Sequence, residues 1–83
     1  MITKEISKID DSIYYMLEYI VNRIMDNADD AISELRKDLK NEYSSGREEA
    51  YYEVIDTMKG DLSAFGVDLK RIGLDFDVDK YFV

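Results

Sequence analysis

Apolar residues between Ile2 and Ile20 recur with alternating steps of four and three, the period of one face of a helix. This hydrophobic seam consists of Ile2, Ile6, Ile9, Ile13, Met16 and Ile20. Further apolar residues widen it into a broad stripe, namely Leu17, Val21 and Ile24. The pattern predicts a long amphipathic helix with a heptad-like seam.

The spacing after Ile20 changes to two steps of four before the earlier rhythm resumes at Ile32. Such a stutter locally unwinds a coiled coil. Asp26 and Asn27 lie at this point, and both residue types cap new helices. A helix over about residues 3–42 and a break near Asn27 therefore both stay open. Since no Gly or Pro interrupts the stretch, the pattern favours the continuous helix.

The residues from Tyr43 to Gly46 punctuate the middle of the chain, and they predict that a second helix begins there and covers about residues 46–65. Ser45 and Glu48 have the spacing of a capping box. The helical period behind them is carried by Ala50, Tyr51, Val54, Ile55, Met58, Leu62 and Phe65, and Gly66 is a natural stop. Gly60 inside this pattern marks either a close helix approach or a weak point.

The C-terminal segment, residues 67–83, is less regular. Asp68 can cap a single turn that Gly73 ends. The alternation from Leu74 to Asp79 predicts an extended stretch, and the alternative is a short final helix capped by Asp77 or Asp79. The segment either packs its apolar residues onto the helices or serves as a linear docking motif for another protein; those residues are Leu74, Phe76 and Phe82.

Together these elements predict a single all-α domain over residues 1–83, with a long first helix packed against a second. An unbroken helix from Thr3 to Asn41 would be about 58 Å long and the second about 30 Å, so the second would cover only half of the first. We expect a second copy of the chain to cover the rest, through Ile6, Ile9, Ile13, Met16 and Ile20. A break near Asn27 would instead allow a monomeric three-helix bundle.

Composition narrows the chemistry. The 83 residues include no Cys and no His, which removes thiolate nucleophiles, the usual near-neutral acid–base group and ordinary structural zinc sites. Asp75, Asp77 and Asp79 resemble the start of an EF-hand loop, but Lys80 occupies the required glycine position. We therefore expect no enzyme, with no catalytic residue, cofactor or metal site.

The net charge of −8 argues against nucleic acid and anionic membranes as ligands and favours a basic protein surface. The N-terminus has no apolar signal region, and no apolar run is long enough to span a membrane. We expect a cytoplasmic protein.

Carboxylates recur at every fourth residue in one stretch, and we call this set the acidic row: Asp26, Asp30, Glu34, Asp38 and Glu42. Like charges at this spacing cost a helix a few tenths of a kcal/mol per pair, so local stability does not favour them. The row is either a solvated helix face or a ridge that docks on a basic groove, as in proteins that mimic nucleic-acid phosphates.

Tyr15 and Tyr19 point away from the apolar stripe at 100° per residue, among acidic residues. Tyrosine is enriched where surfaces bind other proteins, so both are candidate partner-binding residues beside the acidic row. The alternative is that both rings cover neighbouring helices or a dimer mate. By the same geometry Tyr51 and Tyr52 face different ways, one towards the core and one towards solvent.

The stretch Ser45 to Phe82, SGREEAYYEVIDTMKGDLSAFGVDLKRIGLDFDVDKYF, resembles the C-terminal part of short acidic helical proteins of phages and integrative elements of Gram-positive bacteria. Such mobile-element proteins include anti-CRISPR and other anti-defence inhibitors, some of them DNA mimics in their charge pattern. The resemblance implies a protein-binding inhibitor and transfers no site residue. The expected function is an acidic inhibitor of a basic nucleic-acid-binding surface, and the alternative is a structural or regulatory homodimer whose acidic face only solubilises it.

Overall fold

The first long helix begins where the side chain of Asp10 caps it. In the computed structural model, which describes residues 9–82, helix α1 spans Asp11–Lys37. The Asp10 carboxylate accepts hydrogen bonds from the backbone N–H of Ile13 at 3.0 Å and from the hydroxyl of Ser12 at 2.7 Å. These bonds hold the pKa of Asp10 below its ordinary value, the Ser12 bond most strongly.

Helix α1 runs through Asn27 without interruption, which confirms the continuous helix and excludes the break. Its buried stripe is Tyr14, Val21, Ala28, Ala31 and Ile32. The predicted start near residue 3 is wrong for residues 9 and 10, which precede the helix, and residues 3–8 lie outside the described residues. The predicted end near residue 42 is also wrong, because the backbone turns at Asp38, whose N–H donates a hydrogen bond to the carbonyl of Leu35. Leu39 consequently leaves the apolar face and is exposed in the turn.

Helix α2 spans Glu42–Ala64, so it begins four residues earlier than the sequence pattern indicated. The side chain of Asn41 caps it by accepting a hydrogen bond from the N–H of Ser44 at 3.0 Å. The capping box at Ser45 is therefore wrong, since Ser45 already lies inside the helix. Asn41 accepts the capping hydrogen bond in place of Ser45, and Glu42 supplies the negative charge at the start of the helix, four residues earlier in the chain.

The turn between the helices is only four residues long, which makes α1 and α2 antiparallel neighbours. Their lengths, about 40 Å and about 34 Å, nearly match. The expectation that α2 is only half as long as α1, and so covers only half of it, is therefore wrong.

The C-terminal segment forms two single-turn helices, α3 at Leu69–Ile72 and α4 at Val78–Tyr81. Asp68 caps α3 as predicted, and Gly73 ends it with a φ of 81° in the left-handed region. Of the two predictions for Leu74 to Asp79, the short helix is correct, because the Asp77 carboxylate accepts hydrogen bonds from the N–H groups of Asp79 and Lys80. Between residues 9 and 82 the chain forms no strand.

The core lies where the C-terminal segment meets both long helices. Its fully buried large side chains are Val21, Ile55, Ile72 and Leu74. Phe76 and Phe82 pack against this core, so the segment is folded onto the helices as the first of its two interpretations predicted. Tyr51 and Tyr52 are both half-buried and both contact the core, which contradicts the expectation that they face different ways.

Tyr14 ties the start of α1 to α3. Its hydroxyl accepts a hydrogen bond from the backbone N–H of Asp68 at 2.7 Å, and the guanidinium of Arg71 lies 3.9 Å from the centre of its ring. Arg71 also donates to the carboxylate of Asp11 at 2.9 Å. These contacts place the C-terminal segment along one edge of α1.

Candidate protein-interaction surface

The outer face of α1 carries an exposed stripe of two tyrosines and two aspartates, Tyr15, Tyr19, Asp26 and Asp30. We call this set the α1 stripe. At 100° per residue the four positions fall within an arc of about 60°, and they extend over about 22 Å of the helix. Tyr15 is 75% exposed and Tyr19 is 58% exposed. The predicted orientation of both rings away from the core is confirmed.

Tyr19 is held by a neighbour one turn further along the helix. The guanidinium of Arg23 donates a hydrogen bond to the Tyr19 hydroxyl at 3.2 Å and lies 6.0 Å from the centre of the ring. This contact orients the ring along the helix surface.

The acidic row does not remain one ridge. Asp26, Asp30 and Glu34 share the exposed side of α1, but the helix ends before Asp38. Asp38 is the C-cap residue, and its side chain accepts a hydrogen bond from the backbone N–H of Lys40 at 3.1 Å. Glu42 is the first residue of α2. The row over five residues is therefore wrong, and three of its members remain in line.

Two of these three carboxylates have a cationic neighbour. Arg47 of α2 approaches Asp30 at 3.7 Å, and Lys37 approaches Glu34 at 3.4 Å. All four of these side chains retain solvent exposure, so each pair contributes at most about 1 kcal/mol. Asp26 is exposed and has no ion pair with any residue from 9 to 82.

The predicted dimer residues fall into three groups. Ile13, Met16 and Ile20 are exposed by 40%, 53% and 43% respectively. Ile9 packs against the core of its own chain, and Ile6 lies outside the described residues. The side chains near the start of α1 that face the core are instead Tyr14, Leu17 and Val21.

A second acidic region lies between α2 and the C-terminal segment, and the sequence patterns did not indicate it. Four aspartates line this open groove of about 700 Å³: Asp56, Asp75, Asp77 and Asp79. Lys59 crosses it and donates a hydrogen bond to the backbone carbonyl of Phe76. Asp56 and the other three are distant in sequence, so only the packing of α4 on α2 brings them together. Within residues 9–82 no three carboxylates converge closely enough to hold a metal ion.

The fold and this surface define a class: a small all-α protein with an acidic and aromatic helix face. Comparison with protein-family models, with curated proteins and with solved structures finds no match to this chain. None of the helices within residues 9–82 combines the length and the apolar character needed to cross a membrane.

Proposed function

We propose that this protein is a non-enzymatic interaction module whose α1 stripe, together with Glu34, occupies a basic, nucleic-acid-binding surface of a partner protein. The observation that carries the proposal is the uninterrupted course of α1 past Asn27. Because the helix does not break, the exposed tyrosines and carboxylates share one continuous face.

The two residue types on this face have complementary tasks. Tyr15 and Tyr19 offer large contact areas with a polar end and few rotatable bonds, which suits them to the centre of a binding site. Asp26, Asp30 and Glu34 supply a negative charge about every 6 Å along the helix. A surface that binds phosphates presents Arg and Lys side chains, which pair with carboxylates.

The existing ion pairs do not oppose this function. The pairs of Asp30 with Arg47 and of Glu34 with Lys37 are exposed and weak, so a partner's guanidinium can replace either cation at little cost. The negative charge of the whole chain adds long-range attraction that accelerates association with a basic protein. The resemblance of Ser45 to Phe82 to mobile-element inhibitors favours a partner from a host defence system.

Charge reversal on α1 tests the proposal. Asp26→Lys with Glu34→Lys changes the exposed face, and Glu49→Lys with Glu53→Lys makes the same charge change on exposed positions of α2. Each protein is immobilised and exposed to host lysate, and the captured proteins are identified. We expect a basic nucleic-acid-binding protein to be captured by the wild type and by the α2 control, and to be released by added nucleic acid.

The affinity of the charge variants for that partner then shows whether the acidic face binds the partner or only solubilises the protein. We expect the α1 variant to bind at least about tenfold more weakly, a loss of about 1.4 kcal/mol. The difference should shrink as salt rises from about 0.05 M to about 0.5 M, because screening weakens the exposed pairs. Equal affinities of the two charge variants, or a response that does not depend on salt, would mean that the acidic face only solubilises the protein.

A further inference from the structure

Five of the large apolar side chains that remain exposed are on one side of the α1–α2 pair. Ile13, Met16 and Ile20 lie within an arc of about 60° on α1, while Val54 and Phe65 lie within about 20° of each other on α2. We call these five residues the apolar flank. Their exposed fractions run from 38% to 53%.

The Asp30–Arg47 ion pair shows that the two halves of the apolar flank are neighbours. Arg47 lies within about 20° of Val54 around α2, two turns away, so the side of α2 that carries Val54 is the side that faces Asp30. Because the helices are antiparallel, Ile13 at the start of α1 comes beside Phe65 at the end of α2. Ile20 falls between these residues and the ion pair.

The C-terminal segment covers the opposite side of the pair. Two hydrogen bonds connect it to α1: Arg71 donates to the carboxylate of Asp11, and the Tyr81 hydroxyl donates to the carboxylate of Asp29. Two more connect it to α2: the Tyr52 hydroxyl donates to the carboxylate of Asp79, and Lys59 donates to the backbone carbonyl of Phe76. Around each helix these contacts lie about 130–170° from the middle of the apolar flank. Residues 9–82 therefore cover one side of the helix pair and leave the other open.

The charged residues around the apolar flank indicate what kind of molecule packs against the open side. Although the chain carries a net charge of −8, the helix positions within about 40° of the apolar flank nearly balance in charge, with two cations, Arg23 and Arg47, against three carboxylates, Asp30, Glu34 and Asp61. A cationic partner gains nothing there and is attracted to the acidic surfaces instead. A second copy needs a self-complementary and nearly neutral contact, because two molecules of like charge repel elsewhere.

The available area also fits a second copy. The open side extends over the shared length of the helices, about 34 Å, and over the width of two helices packed at 8–10 Å. Roughly 600 Å² per chain, about 1,200 Å² in total, is at the lower limit of specific interfaces. Two helix pairs stacked this way form an antiparallel four-helix bundle, a common arrangement of amphipathic helices.

We propose that the apolar flank is a homodimer interface, through which a second copy of the chain packs by two-fold symmetry to complete a four-helix bundle. Tyr15, Tyr19 and Asp26 of the α1 stripe stay on the outside of the bundle and are duplicated, while Asp30 lies at the border of the interface beside Arg47. It differs from the seam expected from the sequence, because α2 contributes Val54 and Phe65 and the core of each chain takes Ile9.

Sedimentation of the full-length protein between about 1 µM and about 200 µM tests the interface. We expect the mass to rise from the 9.7 kDa of one chain towards twice that value. Met16→Glu with Val54→Glu should hold the mass at one chain throughout, while Leu39→Glu, at a 73% exposed position in the turn, should behave as the wild type. A wild type that stays monomeric at the highest concentration overturns the proposal, and so does a dimer that both variants preserve.

Disulfide trapping gives a second measurement that does not depend on the folding of the charged variants. The chain has no cysteine, so a single introduced thiol reports on its own neighbourhood. Under mild oxidation we expect Ile20→Cys to form covalent dimers much faster than Tyr15→Cys, which lies on the outer face. Equal rates at the two positions would place the contact elsewhere.

Discussion

Two tyrosine hydroxyls fasten the C-terminal segment to the long helices. Tyr52 of α2 donates to the carboxylate of Asp79 at 2.5 Å, and Tyr81 of α4 donates to that of Asp29 in α1. Each bond requires the neutral phenol, since a phenolate would repel the carboxylate. The bond to Asp79 raises the pKa of Tyr52 to about 12, and the bond to Asp29, with burial, raises the pKa of Tyr81 to about 12.

This pKa shift predicts a loss of stability in alkali. An unfolded tyrosine has a pKa of about 10, so the two bonds stabilise the fold fully below about pH 10 and lose their effect as the pH rises to about 12. We expect the stability difference between the wild type and a Tyr52→Phe, Tyr81→Phe variant to shrink over that range in urea unfolding. Tyr15→Phe with Tyr43→Phe is the control, because both rings are highly exposed. A stability difference between the wild type and this variant that stays the same from pH 10 to pH 12 would contradict the role of the two tyrosine hydroxyls.

Single capping residues explain where residue-level prediction worked and where it did not. The pattern predicts the Asp68 cap correctly, because Gly73 follows about one turn later and ends the helix. The pattern predicts Ser45 as the cap because the residues from Tyr43 to Gly46 resemble a break, yet α2 passes through Gly46 and its cap is Asn41. Asn, Asp and Ser all favour the cap position, so residue type alone does not decide between neighbouring candidates.

At the scale of the elements, both glycines inside α2 stand in open space. A Cβ atom built on Gly46 or on Gly60 has no neighbour within 4 Å, so the close helix approach considered for Gly60 is wrong. Glycine in a helix interior costs about 0.5–1 kcal/mol against alanine. Neither position gains anything from packing in return.

Alanine at these positions should stabilise the protein. We expect Gly46→Ala and Gly60→Ala each to raise the free energy of unfolding by about 0.5–1 kcal/mol, measured by chemical denaturation. Gly73→Ala should lower it, because the φ of 81° there disfavours any side chain. A loss of stability in either α2 variant would show that glycine serves a contact made outside residues 9–82.

At the scale of the whole molecule, net charge opposes folding. The chain carries −8, while the three ion pairs among the described residues are exposed and each contributes little. Concentrating like charge in a small fold costs free energy that salt reduces by screening.

The melting temperature should therefore rise with sodium chloride between about 0.02 M and about 0.3 M. Measurement near 1 µM keeps self-association from contributing. Glu49→Lys with Glu53→Lys reduces the net charge by half and should show a smaller rise. A melting temperature that falls with salt would mean that the ion pairs outweigh the repulsion.

The sequence by itself determined the helical class, and it favoured the continuity of α1 through Asn27 and the orientation of Tyr15 and Tyr19 away from the apolar face. These follow from the apolar period and from the absence of helix breakers, both of which are local properties. It also indicated the α3 turn, since Asp68 and Gly73 act on their immediate neighbours.

Tertiary packing alone decided which apolar side chains are buried. Ile13, Met16 and Val54 have the same local pattern as Leu17, Val21 and Ile55, but the C-terminal segment covers only one side of the helix pair. Packing also placed Asp56 and Asp79 along the same groove, and the end of α1 at Lys37 divided the acidic row. A helical period shows which residues share a face, and only the arrangement of the other elements shows which faces they cover.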